Sequence, residues 1–519
     1  MFAFCSKISE LDVSSWNTSN VINTSHMFRA CSSLSKLNVS KWITSNITDM
    51  NFMFYYCENI VELDVSKWNT SKVTSMSSMF DNCKSLTKLY VKNFNTSNVT
   101  SMSNMFNSCM NLIELDLSDW NLLNVTSMAY MFSGCSNLQK INVSKWDTSN
   151  VTDMTRMFGY CKNLKELDVS EFDISNVIYI KEMFYNCSSL LELDVSNFNT
   201  LNVTDMGSMF EGCSKLTELD VSNFNTSKVT NMSRMFYNCN NLTKLDVSYF
   251  NTSNVTRMGL MFGECSSLIE LDVSNFNTLN VIDMSSMFSG CSNIIELDVS
   301  KFNTTKVTNM SNMFNDCSSL RELDVNDFDT SNVINISGMF KGCVNITELD
   351  VSNWNTSNVI NMNSVFFKCS SLTELNLSNF DTSKVTNMAE MFRWCENLTK
   401  LNISNFNTYE VTNMGGMFNS CLSLTELDVS SFDTSKVIYM NNMFYSGSNL
   451  LTIYASNKFV TNNVIESSNM FVRSILLIGQ NGTKYNAQFI DKTYARIDTA
   501  VYDESGNLVS GEPGYFTEK

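Results

Sequence analysis

Seventeen cysteines, one histidine and a recurring pair of carboxylates are the side chains of this 519-residue chain with the most obvious chemistry. The cysteines run from Cys5, Cys31 and Cys57 to Cys421, each 26 residues after the last. A thiolate nucleophile needs a base beside it, and the lone His26 cannot serve seventeen equivalent thiols. No Cys-x-x-Cys pair occurs, so a tetrahedral zinc site has no ligand set. His26 precedes Met27 at a place that elsewhere holds Ser78, Asn104 and Tyr130, and is expected on the exposed surface. The cysteines read as small buried hydrophobes with free thiols. Disulfides between neighbouring copies are the alternative. They need Cα atoms about 4.4–6.8 Å apart, closer than the about 8–10 Å at which helices pack.

The carboxylates form two columns. Glu166, Glu192, Glu218, Glu270, Glu296, Glu322 and Glu348 recur at the 26-residue step, with Lys244 interrupting them. Two places later stand Asp168, Asp194, Asp220, Asp246, Asp272, Asp298, Asp324 and Asp350. Acids stacked at strand spacing repel by roughly 1 kcal/mol per neighbour at a water-like dielectric. Raised carboxyl pKa values are therefore expected, with the repulsion relaxing as pH falls. These fifteen residues are the candidate binding face, either a plain solvated surface or a surface for a cationic ligand. EF-hand spacing is absent, and no metal site, cofactor or catalytic residue is expected. The columns mostly change together: Asn38, Asn142, Asn402 and Tyr90 follow Lys36, Lys140, Lys400 and Lys88, although Asn376 keeps Glu374, so the face is acidic in the middle and more mixed toward the N-terminus.

The element that must position these residues is a 26-residue unit, as in LTELDVSNFNTSKVTNMSRMFYNCNN from Leu216 to Asn241. Glu218 to Ser222 alternates polar and apolar residues, the pattern of a half-buried strand. Asn225-Thr226-Ser227-Lys228 reads as a polar turn. Met232, Met235, Phe236 and Cys239 fall at i, i+3, i+4 and i+7, the spacing of one helix face. Most of the 33 methionines and the Phe/Trp column (Trp42, Phe224) are then core fillers. Asn69, Asn95 and Asn225 match the N-glycosylation acceptor, but glycans on turns about 5 Å apart could not all fit, so turn chemistry is preferred.

The LxxLxV segment with its return is similar to a leucine-rich repeat. The fuller string LTELDVSNFNTSKVTNMSRMFYNC resembles the BspA-type repeat of leucine-rich-repeat surface proteins, which includes mycoplasma lipoprotein-associated repeats. The fold class expected is an α/β repeat solenoid, leucine-rich-repeat-like. Each 26-residue turn would hold one short parallel strand and one short helix, with a small β cap at the C-terminus. Residues 1–475 would form about 18 turns starting mid-repeat, and residues 476–519 a β cap and tail. Gln480-Asn481-Gly482-Thr483 signals a hairpin, Tyr485 to Ile490 a returning strand, and the last dozen residues a mobile tail.

The net charge of −17 argues against nucleic acid as a partner. No apolar run is long enough to span a bilayer, and neither a signal peptide nor an anchor is visible. The resemblance implies a non-enzymatic recognition or adhesion solenoid, cell-surface or extracellular, binding a protein or glycan through an exposed repeat face. The competing expectation is a structural spacer with no specific ligand. A binder would show a clustered irregular patch, whereas a spacer would be uniform. The uncapped first turn is an edge open to self-association.

Overall fold

The computed structural model describes residues 1–519 in two compact units, Met1–Val255 with Glu264–Leu268, and Thr256–Gly263 with Ile269–Lys519. Each unit is a β-solenoid built of the 26-residue coil. In the first, β1 (Glu10–Leu11) pairs in parallel with β2 (Lys36–Leu37), β3 (Glu62–Leu63) with β4 (Lys88–Leu89), and β5 (Glu114–Asp116) with β6 (Lys140–Asn142). In the second, β7 (Glu374–Asn376) pairs with β8 (Lys400–Asn402), and β9 (Glu426–Asp428) with β10 (Thr452–Ala455), again in parallel.

The helix expected in each coil is not there; the only helical element is a 3-10 turn at Lys492–Tyr494. The coil Leu190–Lys215 shows what replaces it. Met206, Met209, Phe210 and Cys213 do point inward and are fully buried. The backbone between them is a run of tight turns: the Met209, Glu211 and Cys213 amides donate to Met206, Ser208 and Phe210 carbonyls. Ser208 and Gly212 have φ of +55° and +75°, which no α-helix tolerates. The amides of Met206, Ser208, Phe210 and Gly212 donate to Asn231, Ser233, Met235 and Tyr237 of the next coil at 2.8–3.0 Å.

The physical reason is satisfaction of the backbone. A two-turn helix leaves most of its amides and carbonyls without partners and needs about 8–10 Å to its neighbour. Stacked turns send alternate amides straight to the next coil, and the Phe210 and Phe236 rings stack at 5.7 Å. Inward side chains therefore recur at helical spacing without a helix. The same bonding repeats from Thr24 to Gly212 in the first unit and from Met258 to Ser446 in the second.

Ladders of identical residues hold the coils in line. One stack of rings runs Phe28, Phe54, Phe80 and Phe106 at 5.6–5.7 Å; a second runs Trp16, Trp42 and Trp68 at 6.1–6.2 Å. Both distances suit offset stacking. The Trp42 and Trp68 indole N–H groups donate to the Val13 and Val39 carbonyls. The Asn-Thr-Ser segment is more than a polar turn, because its threonine is buried. Thr44 Oγ1 donates to the Asn69 carbonyl at 3.0 Å and accepts from the Asn69 amide at 2.7 Å.

At the C-terminal end an extra residue, Lys458, sits between Asn457 and Phe459, so the Phe444 amide reaches Met470 26 residues on. The hairpin signal yields one antiparallel bridge, Ile478 to Lys484, and residues 485–490 are not a strand. Further on, β11 (Val501–Tyr502) pairs with β12 (Leu508–Ser510) in antiparallel fashion. The last residues are ordered, not the mobile tail expected: β13 (Phe516–Glu518) lies parallel to β10, and Phe516 packs edge-on against Phe459 at 4.9 Å. Buried Asp498 ties this segment to the hairpin by accepting from the Asn481 and Thr483 amides and the Thr483 hydroxyl.

Candidate functional site

The segment Glu-Leu-Asp-Val places its leucine and valine in the core and its two acids outside, as strand alternation requires. All fifteen acidic residues of the candidate face are exposed. Each unit presents its own share: Glu166 to Asp246 in the first, Glu270 to Asp350 in the second.

The aspartates are held by the serine two residues on, except Asp324, which accepts from the Asn326 amide at 3.2 Å. Ser222 donates its amide and hydroxyl to Asp220 Oδ1 at 3.0 and 2.7 Å. Asp194, Asp272 and Asp298 repeat the arrangement. These bonds, side chain first and backbone second, hold Asp194, Asp220, Asp272 and Asp298 below the usual carboxylate range. Asp350 is lowered as well, chiefly by the Ser352 amide. The expected rise is therefore reversed. Two short donors stabilise each carboxylate locally, while repulsion between neighbours acts through solvent and is screened.

The glutamate column is bare by comparison. None of the ion pairs includes Glu166, Glu192, Glu218, Glu270, Glu296, Glu322 or Glu348. Elsewhere on the strand face lysines do the pairing. Lys36 Nζ lies 2.5 Å from Glu10, Lys400 contacts Glu374, and Lys519 Nζ lies 2.5 Å from Asp428. Lys92 sits 2.7 Å from Asp116, and its donation is the first cause that brings Asp116 down to about 2.

The strand face also carries grooves. One of about 490 Å³ brings together Glu192, Asp194, Glu218, Asp220, Asp246 and a single cation, Lys244. Another, about 910 Å³, is lined by Glu348, Asp350, Lys400, Asp428, Tyr454 and Lys519. A third, about 630 Å³, lies among Lys88, Tyr90, Lys92, Glu114, Asp116 and Lys140. Sequence reasoning noticed Tyr90 only as a break in the acidic ladder and passed over Lys92. The signal was present, since LYVKNF replaces the usual LDVSNF.

His26 is half-buried, not exposed as expected. Its ring stacks on Phe52 at 4.8 Å and its backbone φ is +56°. The cysteines are free thiols, and all but Cys5 are buried. Each buried thiol from Cys31 onward donates to a carbonyl 29 residues earlier, as Cys57 does to Phe28 at 3.1 Å. Burial pushes Cys135, Cys187, Cys265 and Cys395 up to about 12, far from a reactive thiolate. No group of three or more His, Cys, Asp or Glu residues is arranged to hold a metal ion. No helix is long and apolar enough to cross a membrane.

A family profile described as "Mycoplasma protein of unknown function, DUF285" matches residues 1–113, 104–220, 159–271, 189–296, 264–377 and 361–480. No curated protein matches the chain. Among solved structures, the chain is similar to a leucine-rich repeat protein from Bacteroides ovatus, with 16% identity and a TM-score of 0.34 over 73% of this chain and 82% of that one. A leucine-rich repeat protein from Eubacterium ventriosum gives 15% identity and a TM-score of 0.29 over 71% and 85%. A leucine rich cell surface protein from Faecalibacterium prausnitzii gives 16% and 0.22 over 77% and 74%.

Proposed function

This chain belongs to the DUF285 family of Mycoplasma proteins, and on that premise we propose that it is a non-enzymatic recognition solenoid. It acts at the cell surface and binds a protein or glycan partner through the strand face of its coils. The observation that carries this reading is the unpaired glutamate column beside serine-fixed aspartates, exposed over successive coils and indented by grooves. Such a face selects partners by charge, favouring basic ones and raising their association rate at low salt. The positioned aspartates present one free oxygen each at a fixed place.

The test is a binding screen of the purified chain against matrix proteins, glycans and whole cells, beside an Asp220→Asn/Asp246→Asn/Asp272→Asn variant. Binding lost in the variant and weakened by salt supports the reading. Binding retained in full at high salt moves the contact off this face. A second reading, a structural spacer, is favoured by one observation: most coils differ on this face only by small polar exchanges such as Lys67 and Asn223. A stable fold that binds nothing in the screen selects the spacer.

A further inference from the structure

One groove of the strand face differs in charge from its neighbours. The groove of about 630 Å³ around Tyr90 sets three lysines, Lys88, Lys92 and Lys140, against two acids, Glu114 and Asp116. The groove of about 490 Å³ holds five carboxylates and one lysine, and that of about 910 Å³ five carboxylates and two lysines. A net positive lining is a local exception in a chain of net charge −17. Most of it comes from one coil, where Leu86 to Phe94 reads LTKLYVKNF and Leu216 to Phe224 reads LTELDVSNF. These exchanges replace two acids and a serine by two cations and an aromatic ring. The groove lies across the step where β4 and β5 are not paired.

Lys92 is bonded to Asp116 at 2.7 Å. Lys88 and Lys140 enter no ion pair, whereas Lys36 and Lys400 of the same column pair with Glu10 and Glu374. Lys88 and Lys140 are exposed and stand one coil to either side of Glu114. Their strand positions are about 9–10 Å apart at the usual strand spacing. A single small anion cannot engage both, but an extended ligand with carboxylates at intervals can. The Tyr90 ring is 46% exposed and its hydroxyl has no hydrogen-bond partner. Such a ring offers an apolar face to the C–H face of a sugar and a hydroxyl to the sugar's own. Ser66, Asn93 and Asn142 add donors and acceptors around it. Val91 and Leu115 are buried beneath the groove, so nothing there anchors an apolar peptide side chain.

We propose that this groove binds an acidic glycan, an oligosaccharide with carboxylates on more than one ring. Lys88 and Lys140 hold the carboxylates, and Tyr90 packs against a ring between them. Tyr454, the only other aromatic of the aspartate column, supplies the contrast. Its groove in the second unit also has two lysines, but Lys400 is bonded to Glu374 and Lys519 to Asp428. The unpaired ammonium groups are what set the Tyr90 groove apart. The proposal rests on the recognition reading for its exposed face, and adds a ligand of opposite charge to the one the acidic runs favour.

The experiment is calorimetric titration of the full chain with a galacturonic acid hexamer at low salt. The hexamer is expected to bind, and more weakly as salt rises. Lys88→Glu with Tyr90→Asp and Lys92→Ser restores the string that the chain already folds at Leu216 to Phe224. It should weaken binding by on the order of tenfold or more. Lys88→Gln with Lys140→Gln, which keeps Tyr90, should do the same, and Lys400→Gln should change nothing. Thermal unfolding reports that each variant is folded. Absence of hexamer binding, unchanged affinity in a folded groove variant, or equal loss in Lys400→Gln overturns the proposal. Equal affinity for a glutamate hexamer overturns the glycan assignment, and equal affinity for the methyl-esterified hexamer overturns the role of the lysines. Should the triple variant not fold, the double lysine variant decides alone. The Asp220→Asn/Asp246→Asn/Asp272→Asn variant leaves this groove intact, so the two readings fail separately. A partner lost in that variant, with no hexamer bound by the parent chain, removes the glycan groove and keeps the recognition reading.

Discussion

The two long sides of each coil solve the same problem differently. On the turn side, four amides per coil reach the next coil, and the bonding repeats in coil after coil whatever the exposed residues are. On the strand side, registered pairs of the glutamate column occur at six steps only, five of them from a glutamate coil to a lysine coil. The turn side draws its regularity from buried, invariant residues, and the strand side from exposed, variable ones. Cohesion and variability are thus carried by opposite faces of one repeat.

The largest test of this contrast is alkaline pH. Buried thiols such as Cys135 and Cys187, raised to about 12, stay protonated in the fold but ionise near their ordinary value of 9.0 once unfolded. Their contribution is complete below pH 9 and is lost as pH rises toward 12. Because sixteen thiols are buried, circular dichroism should show steep cooperative unfolding in that window. Survival to pH 12 would show that the thiols do not register the fold. In the native state at neutral pH, a thiol reagent should label only Cys5.

Next in size is the aromatic spine. Phe210→Ala removes a fully buried ring between Phe184 and Phe236. It should cost about 3–5 kcal/mol by denaturant unfolding. A cost below about 1 kcal/mol would mean that the turn side is not the part that sets stability.

Smaller again is Thr44→Val, which leaves both the Asn69 amide and carbonyl without their side-chain partner. About 1–3 kcal/mol should be lost. Leu122 and Ile174 occupy the same column and keep the turn, since the Val125 and Val177 amides still donate to the Leu122 and Ile174 carbonyls. A neutral Thr44→Val would place the stabilisation in the turn itself.

On the strand side the effects shrink. Asp194, Asp220, Asp272, Asp298 and Asp350 are held below 3.8 by serine donors, so their contribution is present above about pH 4 and fades as pH falls through their lowered values. A melting temperature that rises between pH 4 and pH 2 would contradict the serine-fixed geometry. The smallest effect is expected for Lys36→Glu, an exposed pair whose loss should cost less than about 1 kcal/mol. That change should leave the Phe28 stack undisturbed.

Much of this was legible in the residues. The step of 26 read from Cys5 to Cys421 fixed the coil, and the alternation in Glu218 to Ser222 placed Leu219 and Val221 inside and Glu218 and Asp220 outside. The Met232, Met235, Phe236 and Cys239 spacing correctly marked an inward face but not the backbone that makes it. A warning stood in the chain. Gly134, Gly212, Gly290 and Gly342 recur immediately before the cysteine, at the place where φ is positive in every coil that keeps the motif, and such a glycine is foreign to the middle of a helix.

What the sequence determined by itself was periodicity, the inside and outside of each coil, and the columns of like residues, because these follow from side-chain chemistry at fixed spacing. What only the tertiary structure decided was where each amide finds its partner. The choice between a helix closing on itself and turns bonded to the next coil depends on a neighbour 25 residues away, and no local pattern encodes that distance. The same holds for Asp220: its neighbours in the column pointed to repulsion, whereas the Ser222 hydroxyl at 2.7 Å governs its proton.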